Sequence, residues 1–203
     1  MTDHALHAAT AALLVRDAVA APPVAGVTLR DLRINRDPRG TLTELLRTDW
    51  PDLFGADLPF AQVYASTTGP GVARDEQAWH VHRHQSDRFY CLAGRIVVAI
   101  ADPRPESPTR GALMLVELAA GPDHPAPLVV TIPPGTLHGF VVTSPGPATL
   151  LNFPNRLYDP ADEGRLPFAD AAVALPDGTP FAYDLARALY RDEEAGAPWS
   201  GTP

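Results

Sequence analysis

Three histidines and one aspartate are spaced as a set of metal ligands or of proton-transfer groups. His80 and His82 are two residues apart in a β-prone segment, so both side chains point to the same face of a strand. Asp87 begins the next β-prone segment, and His138 follows a Pro-Gly turn much further along the chain. Three imidazoles and a carboxylate suit a divalent first-row metal such as Fe, Mn, Ni or Zn. The same groups suit acid/base catalysis, and for His80 and His82 alone a solvated pair without function is the alternative.

The segments that position these side chains are short and β-prone, and turns separate them. The chain has 23 proline and 15 glycine residues, spread along its length. This pattern is typical of an all-β sandwich or barrel of the jelly-roll type. We predict strands at Val27–Leu32, Leu42–Arg47, Phe60–Ser66, Trp79–His82, Arg88–Leu92, Arg95–Asp102, Ala112–Leu118, Leu128–Ile132, His138–Thr143 and Thr149–Pro154.

Helices are expected near the two ends of the chain. Residues 3–20 are rich in Ala, Leu and Val and are followed by a Pro-Pro pair, which predicts an N-terminal helix. The segment Asp184–Glu194 predicts a short C-terminal helix, followed by a Pro- and Gly-rich tail. The expected organisation is an N-terminal helical arm over residues 1–25, a β-barrel over residues 26–176, and a C-terminal loop, helix and tail over residues 177–203. A chain of 203 residues fits one such core.

The composition disfavours several classes of function. The net charge is −8 and the sequence has no basic cluster, which disfavours nucleic-acid binding. No segment approaches the roughly 18 uninterrupted apolar residues of a membrane-spanning helix. The single cysteine, Cys91, lies in an apolar run and is expected to be a core residue in a reducing compartment. We therefore expect a cytoplasmic protein with no nucleic-acid or membrane partner.

The two segments around the histidines resemble the two signature motifs of the cupin superfamily. The first motif is His-x-His, an acidic residue and a later glycine, matched here by His80, His82, Asp87 and Gly94. The second is Pro-x-Gly-x-x-His, matched by Pro133 to His138. This resemblance implies the cupin double-stranded β-helix, a jelly roll, for the all-β part of the chain.

A narrower resemblance, to dTDP-4-dehydrorhamnose 3,5-epimerases, extends over roughly residues 34–176. Its five stretches keep the order that they have in that family, which makes the match specific. They are Asp37–Glu44, the block of Phe60, Gln62 and Ser66 with Gly71–Arg74, Asp102–Arg104 with Ser107–Gly111, Ile132–Phe140, and Tyr158–Pro160 with Glu163.

The resemblance to the epimerases implies roles for individual residues. His80 takes the position of the base that removes a proton beside a keto group, and Tyr158 takes that of the acid on the other face. Asp184 would correspond to an aspartate that orients the base and fixes its tautomer. Three more residues match positions that bind a nucleotide diphosphate or lie around it: Arg39, Glu44 and Arg74. For each of them, membership of a surface charge pair is the alternative.

Two positions depart from the pattern of the epimerases. The enolate-stabilising lysine is replaced by Asp87, and the family's glutamine two residues after the base is replaced by His82; the chain contains no lysine. A carboxylate repels a developing oxyanion, but it can hold a metal that acts as a Lewis acid. An ungapped alignment from Arg74 would place the base at Gln77, and the strand-like surroundings of His80 favour the alignment with a shifted loop.

These observations predict an epimerase or isomerase of the cupin type, assisted by a metal. His80 or His138 would remove a proton next to a carbonyl group, with Tyr158 acting on the other side. The expected partner is a small-molecule substrate such as a nucleotide sugar, no organic cofactor is implied, and the resemblance implies a homodimer. Two alternatives stay open: a metal-dependent oxygenase or lyase of small-molecule or natural-product metabolism, and a non-catalytic binding cupin.

Overall fold

The computed structural model describes residues 3–120, 127–171 and 173–191 of the chain. Two α-helices lie near its ends, α1 (Asp3–Ala11) and α2 (Tyr183–Ala188), with a short 3₁₀ turn at Phe168–Asp170. The strands in the described residues are β1 (Leu14–Val15), β2 (Thr28–Asp31), β3 (Ile34–Asp37), β4 (Gly40–Thr43), β5 (Tyr64–Thr68), β6 (Ala78–His82), β7 (Asp87–Ala93), β8 (Arg95–Ala101), β9 (Leu113–Ala119), β10 (Leu128–Ile132), β11 (Leu137–Val142), β12 (Ala148–Asn152) and β13 (Glu163–Pro167).

Two sheets face each other, and a separate hairpin lies beside them. The larger sheet has the order β1-β9-β8-β11-β6-β13, the smaller one has the order β2-β10-β7-β12-β5, and β3 pairs with β4. β1 runs parallel to β9, whereas the two pairs that carry the histidine-rich segments, β11 with β6 and β13 with β6, are antiparallel. The expected all-β jelly roll with a helix near each end is confirmed.

The space between the sheets holds one apolar core, and the candidate site occupies its open end. Alternate residues of β8 such as Ile96, Val98 and Ile100 point into this core, because side chains alternate between the faces of a strand. Phe89 and Phe140 lie at the end of the core that borders the histidines.

The outer face of the larger sheet is also covered, by α1, α2 and the segment before α2. Trp79 is fully buried there and stacks on Phe181, with ring centroids 4.8 Å apart. The phenol of Tyr183 lies over Gly139, where a Cβ atom would collide with its hydroxyl. The strands that carry the histidines are therefore held from behind by an apolar layer.

The outer face of the smaller sheet is closed by a buried arginine. Arg88, which alternates with Asp87 on β7, is fully buried and donates to the backbone carbonyls of Phe153, Leu53 and Pro59. Hydrogen bonds to several carbonyls satisfy the guanidinium, which would otherwise be costly to bury. This arrangement fixes the direction in which Asp87 leaves the strand.

The N-terminal helix is shorter than predicted. It ends at Ala11, and the following residues Leu14 and Val15 add a strand to the edge of the larger sheet, where the amide of Leu115 donates to the carbonyl of Leu13. Apolar residues that can bury against a sheet edge satisfy their backbone there, so tertiary pairing overrides helix propensity. The C-terminal helix ends at Ala188, and the part of its prediction beyond residue 191 lies outside the described residues.

The strand predictions hold in the core and fail at the edges. The strand predicted at Leu42–Arg47 is β4, which ends at Thr43, and the one predicted at Phe60–Ser66 is shifted to Tyr64–Thr68. The strands β1, β3 and β13 were not predicted, because they are short, partly exposed and, in β3 and β13, largely polar. The division into residues 1–25, 26–176 and 177–203 stays a prediction. No helix in the described part of the chain is long and apolar enough to cross a membrane.

Candidate active site

Two neighbouring strands of the larger sheet carry the three histidines. His80 and His82 point inward from β6, and His138 on β11 lies directly across from His80 in the antiparallel register. Asp87 reaches the same region from the first residue of β7 in the facing sheet. The two-residue spacing of His80 and His82 gives their shared direction, and the sheet pairing brings His138 beside them.

The three histidines converge on one point, and Asp87 lies beside two of them. The Nε2 atoms of His80 and His82 are 2.9 Å apart. Oδ2 of Asp87 lies 3.2 Å from Nε2 of His138 and 3.6 Å from Nε2 of His82. One nitrogen from each histidine falls within a group whose members are all within 4.8 Å of one another. The structure thus brings together the four residues that the spacing singled out.

Asp87 is a buried carboxylate with dedicated donors. It is 2% exposed, and its Oδ1 accepts hydrogen bonds of 2.8 Å from the side-chain amides of Gln85 and Asn152. Burial by itself raises the pKa of Asp87, but the hydrogen bonds and the neighbouring imidazoles of His138 and His82 outweigh it and lower the pKa to about 2. Asp87 is therefore an anion at neutral pH.

The outward nitrogens of the three rings face hydrogen-bond acceptors. Nδ1 of His138 is 3.3 Å from the carbonyl oxygen of Thr136. Nδ1 of His82 is buried and 3.6 Å from Asp162, and Nδ1 of His80 is 3.9 Å from a carboxylate oxygen of both Asp75 and Glu163. Of these contacts, that of His138 is within hydrogen-bond range. The Nε2 atoms of all three rings lie toward the centre of the cluster.

His80 and His82 are neutral imidazoles at pH 7. Burial, together with the neighbouring His138 and His82 and the guanidinium of Arg165, lowers the pKa of His80 to about 3. Burial also lowers the pKa of His82, although the charge of Asp87 opposes the shift. A neutral imidazole can accept a proton or bind a metal ion, so both kinds of chemistry are available to the site.

The donor set fits a divalent metal ion. The inward Nε2 atoms of His80 and His82 are 2.9 Å apart, and Asp87 lies 3.2 and 3.6 Å from the Nε2 atoms of His138 and His82. Atoms of this kind at such distances need a proton or a cation between them. Ligands bound at about 2.1 Å lie about 3.0–3.4 Å from their neighbours around a metal, which matches these separations. His80, His82 and His138 form the group that could hold the ion, and Asp87 lies beside His138 and His82.

The cluster lies at the inner end of a cavity of about 570 Å³ between the two sheets. Tyr64 and Ser66 contribute to one wall, His80 and Arg165 to the other, and Tyr158 lies at the rim. A cavity of this size accommodates a small molecule. The site therefore combines neutral imidazoles, an anionic carboxylate and room for a ligand.

Two of the other residues singled out by the sequence also line this cavity. Tyr158 is 67% exposed. Arg74 lies on the rim, where its guanidinium donates to the Thr68 hydroxyl and the Thr67 carbonyl. Gln77, the base in the ungapped alignment, is exposed and does not contribute to the cavity wall. The roles assigned to Tyr158 and Arg74 stay predictions.

Three of the residues singled out by the sequence lie away from the cavity of their own chain. Arg39 is on the β3–β4 turn and pairs with Asp37, and Glu44 pairs with Arg47. Asp184 is an exposed partner of Arg187 on α2, so it does not orient His80. Asp75 and Glu163 lie beside His80 instead, and both pair with Arg165.

Sequence reasoning missed two residues that support the cluster. Asp162 accepts the backbone amides of His84 and Gln85 and faces Nδ1 of His82. Tyr64 points its hydroxyl at Asn152, and burial raises the pKa of Tyr64. A signal for Tyr64 was present in the alternation of polar residues Gln62, Tyr64 and Ser66, all of which line the cavity. Asp162 lies in a loop, where no periodicity marks it.

Known proteins resemble this chain over most of its length. A family model described as dTDP-4-dehydrorhamnose 3,5-epimerase matches residues 21–194. A probable low-salt glycan biosynthesis epimerase of Haloferax volcanii is 40% identical over 150 residues, which cover 72% of this chain and 90% of that protein. The spore coat polysaccharide biosynthesis protein SpsL of Bacillus subtilis is 32% identical over 158 residues, or 77% of this chain and 97% of that protein. The crystal structure of a dTDP sugar isomerase from Desulfovibrio desulfuricans superposes with a TM-score of 0.65 at 29% identity, covering 89% of this chain and 98% of that one.

Proposed function

The chain belongs to the dTDP-4-dehydrorhamnose 3,5-epimerase family and is an enzyme of the epimerase type, and from this premise we propose that it inverts a carbon centre beside the keto group of a nucleotide-linked sugar. The observation that carries the proposal is a neutral imidazole, His80, on the wall of a ligand-sized cavity between the two sheets. A general base must be unprotonated at the working pH and must reach the substrate. The lowered pKa of His80 and its place on the cavity wall support this role.

The proposed reaction is a proton transfer at the carbon beside the carbonyl group. His80 accepts the proton, and the electron pair of the broken C–H bond moves into an enolate whose negative charge lies on the former carbonyl oxygen. A second group then returns a proton to the opposite face of the carbon, which inverts it. The family resemblance assigns that return to Tyr158, which lies at the cavity rim.

The enolate charge needs a partner other than lysine, since the chain has none. Arg74 and Arg165 line the cavity, and the side-chain amide of Gln85 lies beside His82 at 3.1 Å. A metal held by His82, Asp87 and His138, with or without His80, would supply a Lewis acid at the enolate oxygen. The Nε2 atom of His80 has one lone pair, so it cannot bind the ion and accept the substrate proton at the same time. Whether the protein binds a metal therefore decides which role His80 has.

The nucleotide sugar is proposed from the names of the relatives, which describe a dTDP sugar isomerase and an epimerase of glycan biosynthesis. Arg74 is a cation at the cavity rim where a diphosphate could pair. The family resemblance also suggests a homodimer with an exchanged N-terminal strand, in which Arg39 and Glu44 would reach the site of the other copy. Their position on a hairpin away from their own cavity is compatible with that arrangement.

The test is hydrogen exchange at the substrate carbon. A dTDP-linked 4-keto-6-deoxy sugar is incubated with the protein in D₂O, with and without a chelator, and deuterium beside the keto group is measured by mass spectrometry and NMR. Wild-type protein should incorporate deuterium, and His80→Asn should lower the rate roughly 10²- to 10⁴-fold. Arg83→Ala, at the strand end next to the site, is the matched control and should keep the wild-type rate. No deuterium incorporation by the wild-type protein under either condition would count against the proposal.

A second candidate, a metal-dependent oxygenase or lyase of the cupin type, is favoured by the approach of the Asp87 carboxylate to two imidazoles. Protein purified without chelator is analysed for metal before and after incubation with Fe²⁺, Mn²⁺, Ni²⁺ or Zn²⁺. A ratio near one ion per chain that is lost in Asp87→Asn and kept in Asp184→Asn, a change at an exposed carboxylate away from the cavity, would support a metal centre. A ratio below about 0.2 after every incubation would remove the basis for this candidate.

A further inference from the structure

Tyr64 lines the cavity from the sheet opposite the one that carries His80. It lies on β5, the edge strand of the smaller sheet, whereas His80 lies on β6 of the larger sheet. Its side chain is 46% exposed, yet its hydroxyl accepts a hydrogen bond of 2.8 Å from the amide of the fully buried Asn152. The ring therefore borders the cavity while the hydroxyl is anchored at the inner wall.

The partner of that hydroxyl is itself immobilised. Nδ2 of Asn152 donates to Oδ1 of Asp87 as well as to Tyr64, and Oδ1 of Asn152 accepts the backbone amide of Arg88. Both Nδ2 protons and the carbonyl oxygen of Asn152 are thus committed, which sets the orientation of its amide. Because Asn152 is held by its neighbours in the sheet, its hydrogen bond also fixes the position of the Tyr64 oxygen.

The direction of this hydrogen bond leaves the hydroxyl proton of Tyr64 free. Asn152 donates, so the tyrosine oxygen accepts, and within residues 3–120, 127–171 and 173–191 no second group accepts the tyrosine proton. A hydroxyl that borders a cavity with an unused proton is positioned to donate to a bound molecule. Tyr158, by contrast, is 67% exposed at the rim, and no hydrogen bond in the same described part of the chain holds its hydroxyl.

We propose that Tyr64 is the catalytic residue that returns the proton to the face of the substrate carbon opposite His80. This inference rests on the proposed epimerase function. The enolate electron pair forms a new C–H bond with the Tyr64 proton while the O–H bond breaks and leaves a phenolate, which the Asn152 amide stabilises. The proton that His80 holds passes to solvent, and solvent reprotonates Tyr64, so the enzyme ends each cycle as it began.

Exchange of the substrate hydrogen with solvent and inversion of the carbon are separate events, and an assay of product alone does not distinguish them. His80 alone is enough for exchange of the substrate hydrogen with solvent, because the proton can return to the face from which it left. Inversion needs the donor on the other face. Removal of the Tyr64 hydroxyl should therefore abolish inversion and preserve exchange with retained configuration, a separation that a loss of substrate binding or of folding would not produce.

The experiment uses Tyr64→Phe in D₂O with a dTDP-linked 4-keto-6-deoxy sugar, and follows deuterium incorporation with retained configuration and formation of the inverted product by NMR. We expect inversion to fall at least about 10²-fold while exchange stays within about threefold of wild type. Tyr90→Phe, a matched tyrosine whose ring packs on the outer face of the same sheet, should leave both rates unchanged.

Three results would overturn the proposal. Inversion at the wild-type rate in Tyr64→Phe would exclude Tyr64, and the same separation seen in Tyr158→Phe instead would return the role to Tyr158. Loss of exchange and inversion together in Tyr64→Phe would show that the residue binds substrate. Absence of exchange in the wild-type protein is a different result, which removes the proposed function and the role of Tyr64 with it.

Discussion

The histidine cluster and the β3–β4 hairpin hold polar residues under opposite conditions. In the cluster, Asp87 and His138 are buried and their partners come from three strands of two sheets. In the hairpin, Arg39 bonds to Asp37 on the same turn, and both side chains are largely exposed. In the cluster each group is positioned by the fold, whereas in the hairpin the charges are positioned by local chain geometry alone.

This difference teaches where a polar residue has consequences for the whole molecule. A buried group without its partner loses solvation that water cannot restore, and an exposed group exchanges its partner for water at little cost. We therefore expect substitutions in the cluster to change stability and pH dependence, and substitutions in the hairpin to leave both nearly unchanged. Three predictions test that contrast.

The largest effect is expected from Asp87→Ala. The substitution leaves the buried amides of Gln85 and Asn152 without their shared acceptor, and each unsatisfied donor costs about 1–3 kcal/mol. Unfolding in urea should therefore show a loss of about 2–5 kcal/mol. Glu44→Ala, which removes an exposed carboxylate paired with Arg47, is the control and should keep the wild-type midpoint. A loss below about 1 kcal/mol in Asp87→Ala would erase the contrast between the two regions.

A second, intermediate effect concerns pH. His80 has a pKa of about 3 in the folded protein and about 6.5 when unfolded, so the unfolded state binds more protons between these values. The free energy of unfolding of chelator-treated protein should therefore fall as pH drops below about 6.5, by up to about 1.4 kcal/mol per pH unit for this residue. The lowered pKa of His82 adds to the slope.

The measurement is urea unfolding at several pH values between 7.5 and 4.5. His80→Asn, which lacks the titrating ring, should show a shallower slope than the wild-type protein. His84→Asn, a change outside the group of converging nitrogens, should keep the wild-type slope. Stability that is independent of pH over this range would mean that the cluster is accessible to water in the folded state.

The smallest effect is expected from Arg39→Ala. The side chain is exposed and its partner Asp37 is on the same turn, so the urea midpoint should not change measurably. If the hairpin reaches the site of another copy, the same variant should raise KM for a nucleotide sugar and leave kcat unchanged. A clear shift of the unfolding midpoint would show that the hairpin is coupled to the fold more tightly than its exposed ion pair indicates.

The sequence could predict the cluster because its geometry is set by short-range rules. Residues two apart share a strand face, which places His80 beside His82, and the turn before His138 brings the next histidine onto a neighbouring strand. The core strands were predicted for a similar reason, since continuous apolar segments such as Leu128–Ile132 are buried on both faces.

The remainder depended on contacts between distant segments. Asp184 was expected beside His80, but the direction of α2 places it next to Arg187 at the surface. β13 contains Gly, Arg and Pro and has little intrinsic β propensity, so its strand form follows from pairing with β6. The anchoring of Tyr64 depends on Asn152, 88 residues away in the chain, and no local pattern encodes that pairing.

The Gly139 backbone supports two layers of the molecule at once. Gly139 follows His138 on the same strand and lines the cavity. The position where a Cβ atom would lie is occupied by the phenol of Tyr183. A saturation mutagenesis library would therefore report position 139 as intolerant although glycine offers no group for proton transfer. Intolerance to substitution at this position would reflect packing against Tyr183 and not a role in proton transfer. Changes intended to alter the substrate should therefore be made at the cavity rim, with Gly139 kept.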